Sequence, residues 1–163
     1  MANQDNVQIN YSETDTTRFN NPAHLENFLN YLYRTDKAQK HTNTLTTKCM
    51  EFAVRSGDVL AKPFGTLDER LERRQKGRQF LGDITEAVSG RKTSPSKFFN
   101  TKIIYFEVFG DDDRDITREL DEDSIQDVMR MLVSTIHEER NCLYVAHLDQ
   151  DDAYHIHVVQ LAK

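Results

Sequence analysis

The sequence predicts an α+β domain, and three observations carry that prediction. Ile103 to Phe109 is apolar on both faces apart from Glu107, the pattern of a strand central in a sheet. Two segments space their apolar residues by threes and fours: Leu25, Phe28, Leu29 and Leu32 in one, Ile125, Val128, Met129, Leu132, Val133 and Ile136 in the other. That spacing gives a helix one buried stripe. Near the C-terminus, Cys142–Ala146 and Val158–Leu161 are short β-rich runs on either side of an Asp-rich tip, which reads as a hairpin.

The 163 residues make one domain by size, long enough for a core. No apolar run approaches the ~18 residues of a membrane span, and no signal-peptide pattern opens the chain. The expectation is a soluble cytoplasmic protein with no membrane partner. Cys49 and Cys142 are isolated and lack C-x-x-C spacing, which argues against a disulfide framework or a thiolate zinc site. The net charge of -6 is unevenly spread: residues 31–102 hold 15 Lys/Arg against 8 Asp/Glu, the remainder 6 against 19. A basic middle suits phosphate, because affinity follows local charge, and it equally suits an ordinary solvated helix face.

Taken in order, Val7 to Tyr11 alternates as a first strand does. Asn21 followed by Pro22 is a helix start, with Asn as cap and Pro at the first helical position. On the helix that follows, Tyr33 falls at the edge of the apolar stripe and Tyr31 well round from it, free to face a cleft. Thr42 to Thr47 is a polar linker, and Lys48 to Arg55 is expected to be a short helix. Pro63-Phe64-Gly65-Thr66 marks a turn. Leu67 to Val88 reads as one or two helices, with Gly77 and Gly82 as weak points, and Ser89 to Lys97 as a mobile basic loop.

The most informative stretch runs from His147 to His157 and holds three of the six histidines. Strand side chains alternate, so His155 and His157 share a face. With the turn centred near Asp151, His147 lies opposite His155, where Cβ atoms are ~5 Å apart; a loop of even length would change this pairing. Three imidazoles so placed can hold a divalent ion at roughly 2.0–2.2 Å. Asp149 shares parity with His147 and suits either a carboxylate that orients a ligand or a turn-forming residue.

Tyr31-Leu-Tyr-Arg34-Thr-Asp-Lys37-Ala38 resembles the first motif of the plasmid-mobilisation relaxases, a helix of the form Tyr-Ile-x-Arg-Pro-Glu-Lys-Ala. The His147, His155 and His157 stretch resembles their third motif, and the order of tyrosine helix, strand, helix and histidine hairpin is shared. Relaxases are HUH endonucleases, in which a hydrophobic residue, here Ile156, separates two histidines. Thr35 and Tyr154 stand where that family often has Pro.

The resemblance implies an HUH-endonuclease-like α+β fold, a central antiparallel five-stranded sheet flanked by helices with the histidines on central strands. It implies one nuclease domain over residues 1–163, with truncation at the C-terminus left open. The activity implied is metal-dependent, strand-specific nicking and rejoining of single-stranded origin-of-transfer DNA in a bacterial cytoplasm, with accessory mobilisation proteins as partners. Catalysis would fall to Tyr31 as nucleophile through a 5′-phosphotyrosine, with Tyr33 the alternative nucleophile and Asp149 in support. His147, His155 and His157 would hold Mn²⁺ or Mg²⁺. Neutral imidazoles are unusual as sole ligands of hard Mg²⁺, which favours Mn²⁺.

Three other readings remain. A rolling-circle replication initiator shares the chemistry, although a tyrosine ahead of the histidines favours a relaxase. A histidine-triad nucleotide hydrolase needs His-x-His-x-His, and position 159 is Val. A non-catalytic DNA-binding or accessory module would tolerate Tyr31→Phe and His155→Ala.

Overall fold

The computed structural model describes residues 7–14, 17–35, 49–55, 58–136, 142–148 and 153–162, with backbone alone over 49–55, 58–64 and 133–136. Strands are β1 (Gln8–Glu13), β2 (Thr17–Arg18), β3 (Cys49–Arg55), β4 (Asp58–Phe64), β5 (Phe99–Phe109), β6 (Cys142–His147) and β7 (His155–Leu161); helices are α1 (Pro22–Leu32), α2 (Leu67–Ser89) and α3 (Glu122–Ile136). The fold is α+β, as expected. Its five-stranded antiparallel core runs β5-β7-β6-β3-β4, and β1 and the short β2 pair with the outer edge of β5.

Both faces of the central strands are covered, which explains their nearly continuous apolar sequence. On one face Ile125, Val128, Met129 and Leu132 of α3 pack on Ile104, Phe106, Tyr144, Ala146, Ile156 and Val158. On the other, Leu25, Leu29, Leu32 and Tyr33 meet Leu81 and Ile84 of α2 over Leu143, Val145 and Val159. Each residue of β6 is buried.

The start of α1 follows the sequence: Asn21 caps it by accepting the His24 amide at 3.0 Å, with Pro22 next. Its end is unusual. Arg34 turns the chain at φ 54°, a left-handed conformation that side chains rarely adopt and that costs about 1–2 kcal/mol. The Thr35 amide then donates to the Asn30 carbonyl at 2.8 Å, and Arg70 of α2 donates to the Arg34 carbonyl at 3.3 Å.

Arg70, Arg74 and Arg78 recur every four residues, so they line one face of α2. Arg74 donates to Asn30 Oδ1 and Glu26 Oε2, each at 2.6 Å, and Arg78 donates to Glu26 Oε1 at 2.7 Å. Burial raises the Glu26 carboxyl's pKa, but the two arginines outweigh it and hold the group below the usual range. Much of the charged first half of α2, ambiguous as sequence, is therefore spent on fastening α1.

Two local expectations are overturned. Cys49–Arg55 is a strand, not a helix: Met50, Phe52 and Val54 alternate with period two, and pairing to β6 on one side and β4 on the other satisfies its backbone. Pro63 and Phe64 close β4 rather than forming a turn, because β4 is an outer strand where Pro's missing amide is tolerated. The linker expected at Thr42–Thr47 lies outside the described residues. In the expected loop at 89–97, Gly90 caps α2 in the left-handed region at φ 77°. Pro95 and Ser96 are then buried in a turn of 3₁₀ helix.

Neither Gly77 nor Gly82 interrupts α2, which starts with a complete capping box between Thr66 and Glu69. At Gly77 a Cβ would collide with the hydroxyl of Tyr33, a fully buried side chain that cannot move aside. At Gly82 the nearest atom would be the tip of Arg78 at 3.6 Å. Gly77→Ala should thus destabilise the protein by roughly 1–3 kcal/mol through overpacking. Gly82→Ala should stabilise it by up to ~1 kcal/mol from helix propensity. Urea denaturation of both variants checks the contrast, and equal effects would be inconsistent with this packing.

Candidate metal centre

The β6–β7 register places His147 directly opposite His155 and Val145 opposite His157. Strand alternation therefore sets all three imidazoles on the face covered by α1, beyond the point where Val145 and Val159 belong to the core. All three are buried, His147 fully so. Their rings lie 4.5 Å (147–157), 4.9 Å (155–157) and 5.3 Å (147–155) apart, centre to centre. One ligand nitrogen from each falls within 4.8 Å of the others. The three expected ligands are brought together, and the triad could bind a metal ion.

Hydrogen bonds assign the nitrogens. The Leu32 carbonyl at the end of α1 lies 2.9 Å from His147 Nε2, and the Ala153 carbonyl 2.8 Å from His155 Nδ1. A carbonyl only accepts, so each of these nitrogens donates, which leaves Nδ1 of His147 and Nε2 of His155 as the positions for a ligand bond. His147 Nδ1 is buried without a hydrogen-bond partner, as are both nitrogens of His157. Orphaned buried polar atoms each cost about 1–3 kcal/mol, and one unsatisfied nitrogen from each of these two rings suits a bound cation. Orientation of metal-bound histidines by backbone carbonyls is a common device.

The electrostatics agree. Burial, then the charges of His155 and Arg34, pushes the His157 pKa down to about 3. Burial, then His157 and Arg34, holds His147 well below the ordinary 6.5. Both imidazoles are thus neutral at pH 7, the form that ligates.

The structure separates the two tyrosines. Tyr31 is 40% exposed, and its ring centre lies 5.3 Å from that of His147 and 5.2 Å from that of His157. Tyr33, also expected as a catalytic candidate, is fully buried with its hydroxyl against Gly77 of α2. The ~200° between positions two apart on a helix explains the split: one side chain enters the core and the other reaches the cleft. Tyr33 packs in the core with Leu29, Leu32 and Leu81. Asp149, the remaining catalytic candidate, lies outside the described residues.

Two further neighbours shape the site: Tyr105, which carries no functional signal in the sequence, and Arg34, which enters there only as a position of the tyrosine motif. Tyr105 of β5 pairs with His155 across the ladder, is 38% exposed, and sets its ring 5.5 Å from that imidazole. Its parity within the apolar Ile103–Phe109 run is visible, but not which strand lies beside β7. Arg34 is buried and its charge reaches both His147 and His157; its αL turn has no signature without Gly or Asn. Tyr31, Tyr105, Ile103, Ala153, His155 and His157 line a cleft of about 320 Å³.

No protein family, curated protein or solved structure matches the chain. Among the described residues, no helix is long and apolar enough to cross a membrane.

The triad's chemistry can be checked in two ways. Imidazole suits Zn²⁺ best, and Mg²⁺ is the hardest of the three ions, so calorimetry should give affinities falling in the order Zn²⁺, Mn²⁺, Mg²⁺. His157→Ala should abolish that binding; retained Mn²⁺ affinity would count against the triad as the site.

The second check concerns acid. His157 titrates near 6.5 when unfolded and about 3 when folded, so between those values only the unfolded chain binds the proton. Metal-free protein should lose about 1.4 kcal/mol of stability per pH unit from this residue as pH falls below ~6.5, flattening near 3. His157→Gln should remove that slope in urea titrations between pH 6 and 4, and parallel profiles would refute it.

Proposed function

We propose that the chain is a relaxase-like, metal-dependent nickase of single-stranded DNA, acting at an origin of transfer in plasmid mobilisation. The observation that carries this reading is the position of Tyr31: an accessible tyrosine about 5 Å, ring to ring, from two of three convergent histidines. The motif order, tyrosine helix before histidine hairpin, supports it.

In this reading the Tyr31 phenol oxygen attacks the scissile phosphorus and the bond from phosphorus to the 3′ oxygen breaks. The strand's 5′ phosphate stays on Tyr31, and the phenolic proton is matched by one gained at the departing 3′-hydroxyl. No external energy source is needed, because one phosphodiester is exchanged for another and attack by the 3′-hydroxyl rejoins the strand. A phenol is a weak nucleophile at its free pKa of ~10 and needs activation. Mn²⁺ or Mg²⁺ held by His147, His155 and His157 would polarise the phosphate oxygens and offset their charge.

The protein's own contribution is placement. Leu32, adjacent to Tyr31, is tied through its carbonyl to His147, so the helix end that carries the nucleophile also orients a ligand. Holding nucleophile and phosphate in attack geometry is a large part of the barrier reduction available to any such enzyme. Rolling-circle initiation would use the same groups on a different origin.

The test needs no known target. Wild type and Tyr31→Phe are incubated with Mn²⁺ and a labelled single-stranded DNA pool of random sequence, and adducts that survive denaturation are counted and sequenced. Wild type should yield a labelled adduct with a shared sequence at the cut. Tyr31→Phe should lose it by at least ~100-fold, the scale of removing a covalent nucleophile. An adduct of equal yield in Tyr31→Phe would move the nucleophile elsewhere, and none in wild type would refute the nickase.

A further inference from the structure

We propose that a second cavity, beside the triad, is a nucleotide subsite that holds one unit of single-stranded DNA flanking the phosphate at the histidines; the proposal rests on the nickase reading above. The cavity, about 480 Å³, lies between β2, the start of α1 and β5. This is within the range of small-ligand pockets.

Two residues join it to the metal centre. Ile103 lines both cavities and pairs with His157 across the β5–β7 ladder. Phe28 forms a wall of the second cavity, and its ring lies 5.8 Å from that of His157 and 6.2 Å from that of Tyr31. Thr101, Ile103 and Tyr105 are alternate residues of β5 and share one face, spaced at about 6.6 Å per pair. A strand of nucleic acid laid along that face passes from the second cavity to the histidines and on to Tyr105 without leaving the protein.

The lining fits a nucleotide in each of its parts. Phe19 and Phe28, ring centres 5.5 Å apart and tilted by 55°, make an aromatic floor. A nucleobase offers the flat apolar face that such a floor takes, and base–aromatic stacking is worth about 1–3 kcal/mol. Thr101 adds a buried hydroxyl oxygen that has no hydrogen-bond partner.

The charge at the rim is specific to one residue. Lys102 is committed to Glu13 at 3.0 Å, whereas Arg18, on the exposed β2, makes no ion pair among the described residues. A guanidinium with five fixed donors is well matched to a phosphate. An inorganic anion would use Arg18 and leave the aromatic floor unfilled. A plain apolar ligand would leave Arg18 idle.

The experiment separates binding from chemistry. Affinity for a fluorescent 30-nucleotide single-stranded DNA pool of random sequence is measured by anisotropy with EDTA, in the full chain carrying Tyr31→Phe. Adding Arg18→Glu should weaken binding by roughly 10-fold at 0.1 M salt. It should also flatten the slope of log affinity against log salt by about 0.7, the loss of one single-strand phosphate contact.

Adding Thr17→Trp, which fills the cavity from the exposed β2, should weaken binding with the salt slope unchanged. Arg91→Glu, an exposed charge beyond the end of α2, is the control and should bind as the parent does. Parental affinity in both cavity variants would overturn the subsite, as would an equal loss in Arg91→Glu or a parent that binds no DNA. Cavity-dependent binding without a Tyr31 adduct would keep the subsite and remove the nickase. An adduct with cavity-independent binding would do the reverse.

Discussion

Every property of the candidate site depends on the register of the β6–β7 hairpin. His147 stands opposite His155, so three imidazoles occupy one face within a few ångströms. A slip of one residue would turn His155 and His157 to the α3 face and bring Ile156 and Val158 toward α1. That slip is heavily penalised, because the two faces of the hairpin feed different cores. Leu143, Val145 and Val159 fill one, while Tyr144, Ala146, Ile156 and Val158 fill the other. The apolar residues fix the register, and the histidines inherit their geometry from it.

The second constraint is the seating of α1. This helix carries Tyr31 to the cleft, sends Tyr33 into the core, and ends in the carbonyl that orients His147. Hydrophobic contact alone would let an eleven-residue helix slide or roll. Directional bonds from Arg70, Arg74 and Arg78 to the Arg34 carbonyl, Asn30 and Glu26 oppose that motion. The left-handed turn at Arg34 is held in the same network, and strain of this kind persists where surrounding contacts over-determine it.

The legible parts of the sequence are those with a local period or cap. Asn21-Pro22, the apolar stripes of α1 and α3, and the parity of His147, His155 and His157 all carry their meaning within a dozen residues, and the structure keeps them. Cys49–Arg55 misleads because a short apolar run has no intrinsic preference strong enough to reveal that β6 and β4 flank it. Tyr105 escapes notice for the same reason: its importance comes from the β5–β7 pairing, a contact about fifty residues away in sequence. The arginines of α2 show the limit for charge. Composition counts them as basic surface, while three are bonded to α1 and the turn that follows it, and so are unavailable to phosphate.

The position of the site follows from how the two faces of the sheet are covered. The α3 face is apolar along its whole length, from Cys142 and Val158 to Leu148 and Tyr154. The opposite face is apolar only as far as α1 and α2 reach, to Val145 and Val159, and past them the same strands carry histidine. Imidazoles placed there are removed from water by Phe28, Tyr31 and the end of α1, yet remain next to an open cleft. Burial favours the neutral form of His147 and His157 and leaves nitrogens of both unsatisfied, while the cleft opens beside them. Deeper in the core the nitrogens would have no access to an ion. On the open surface water would satisfy them, and the drive to bind one would be weaker.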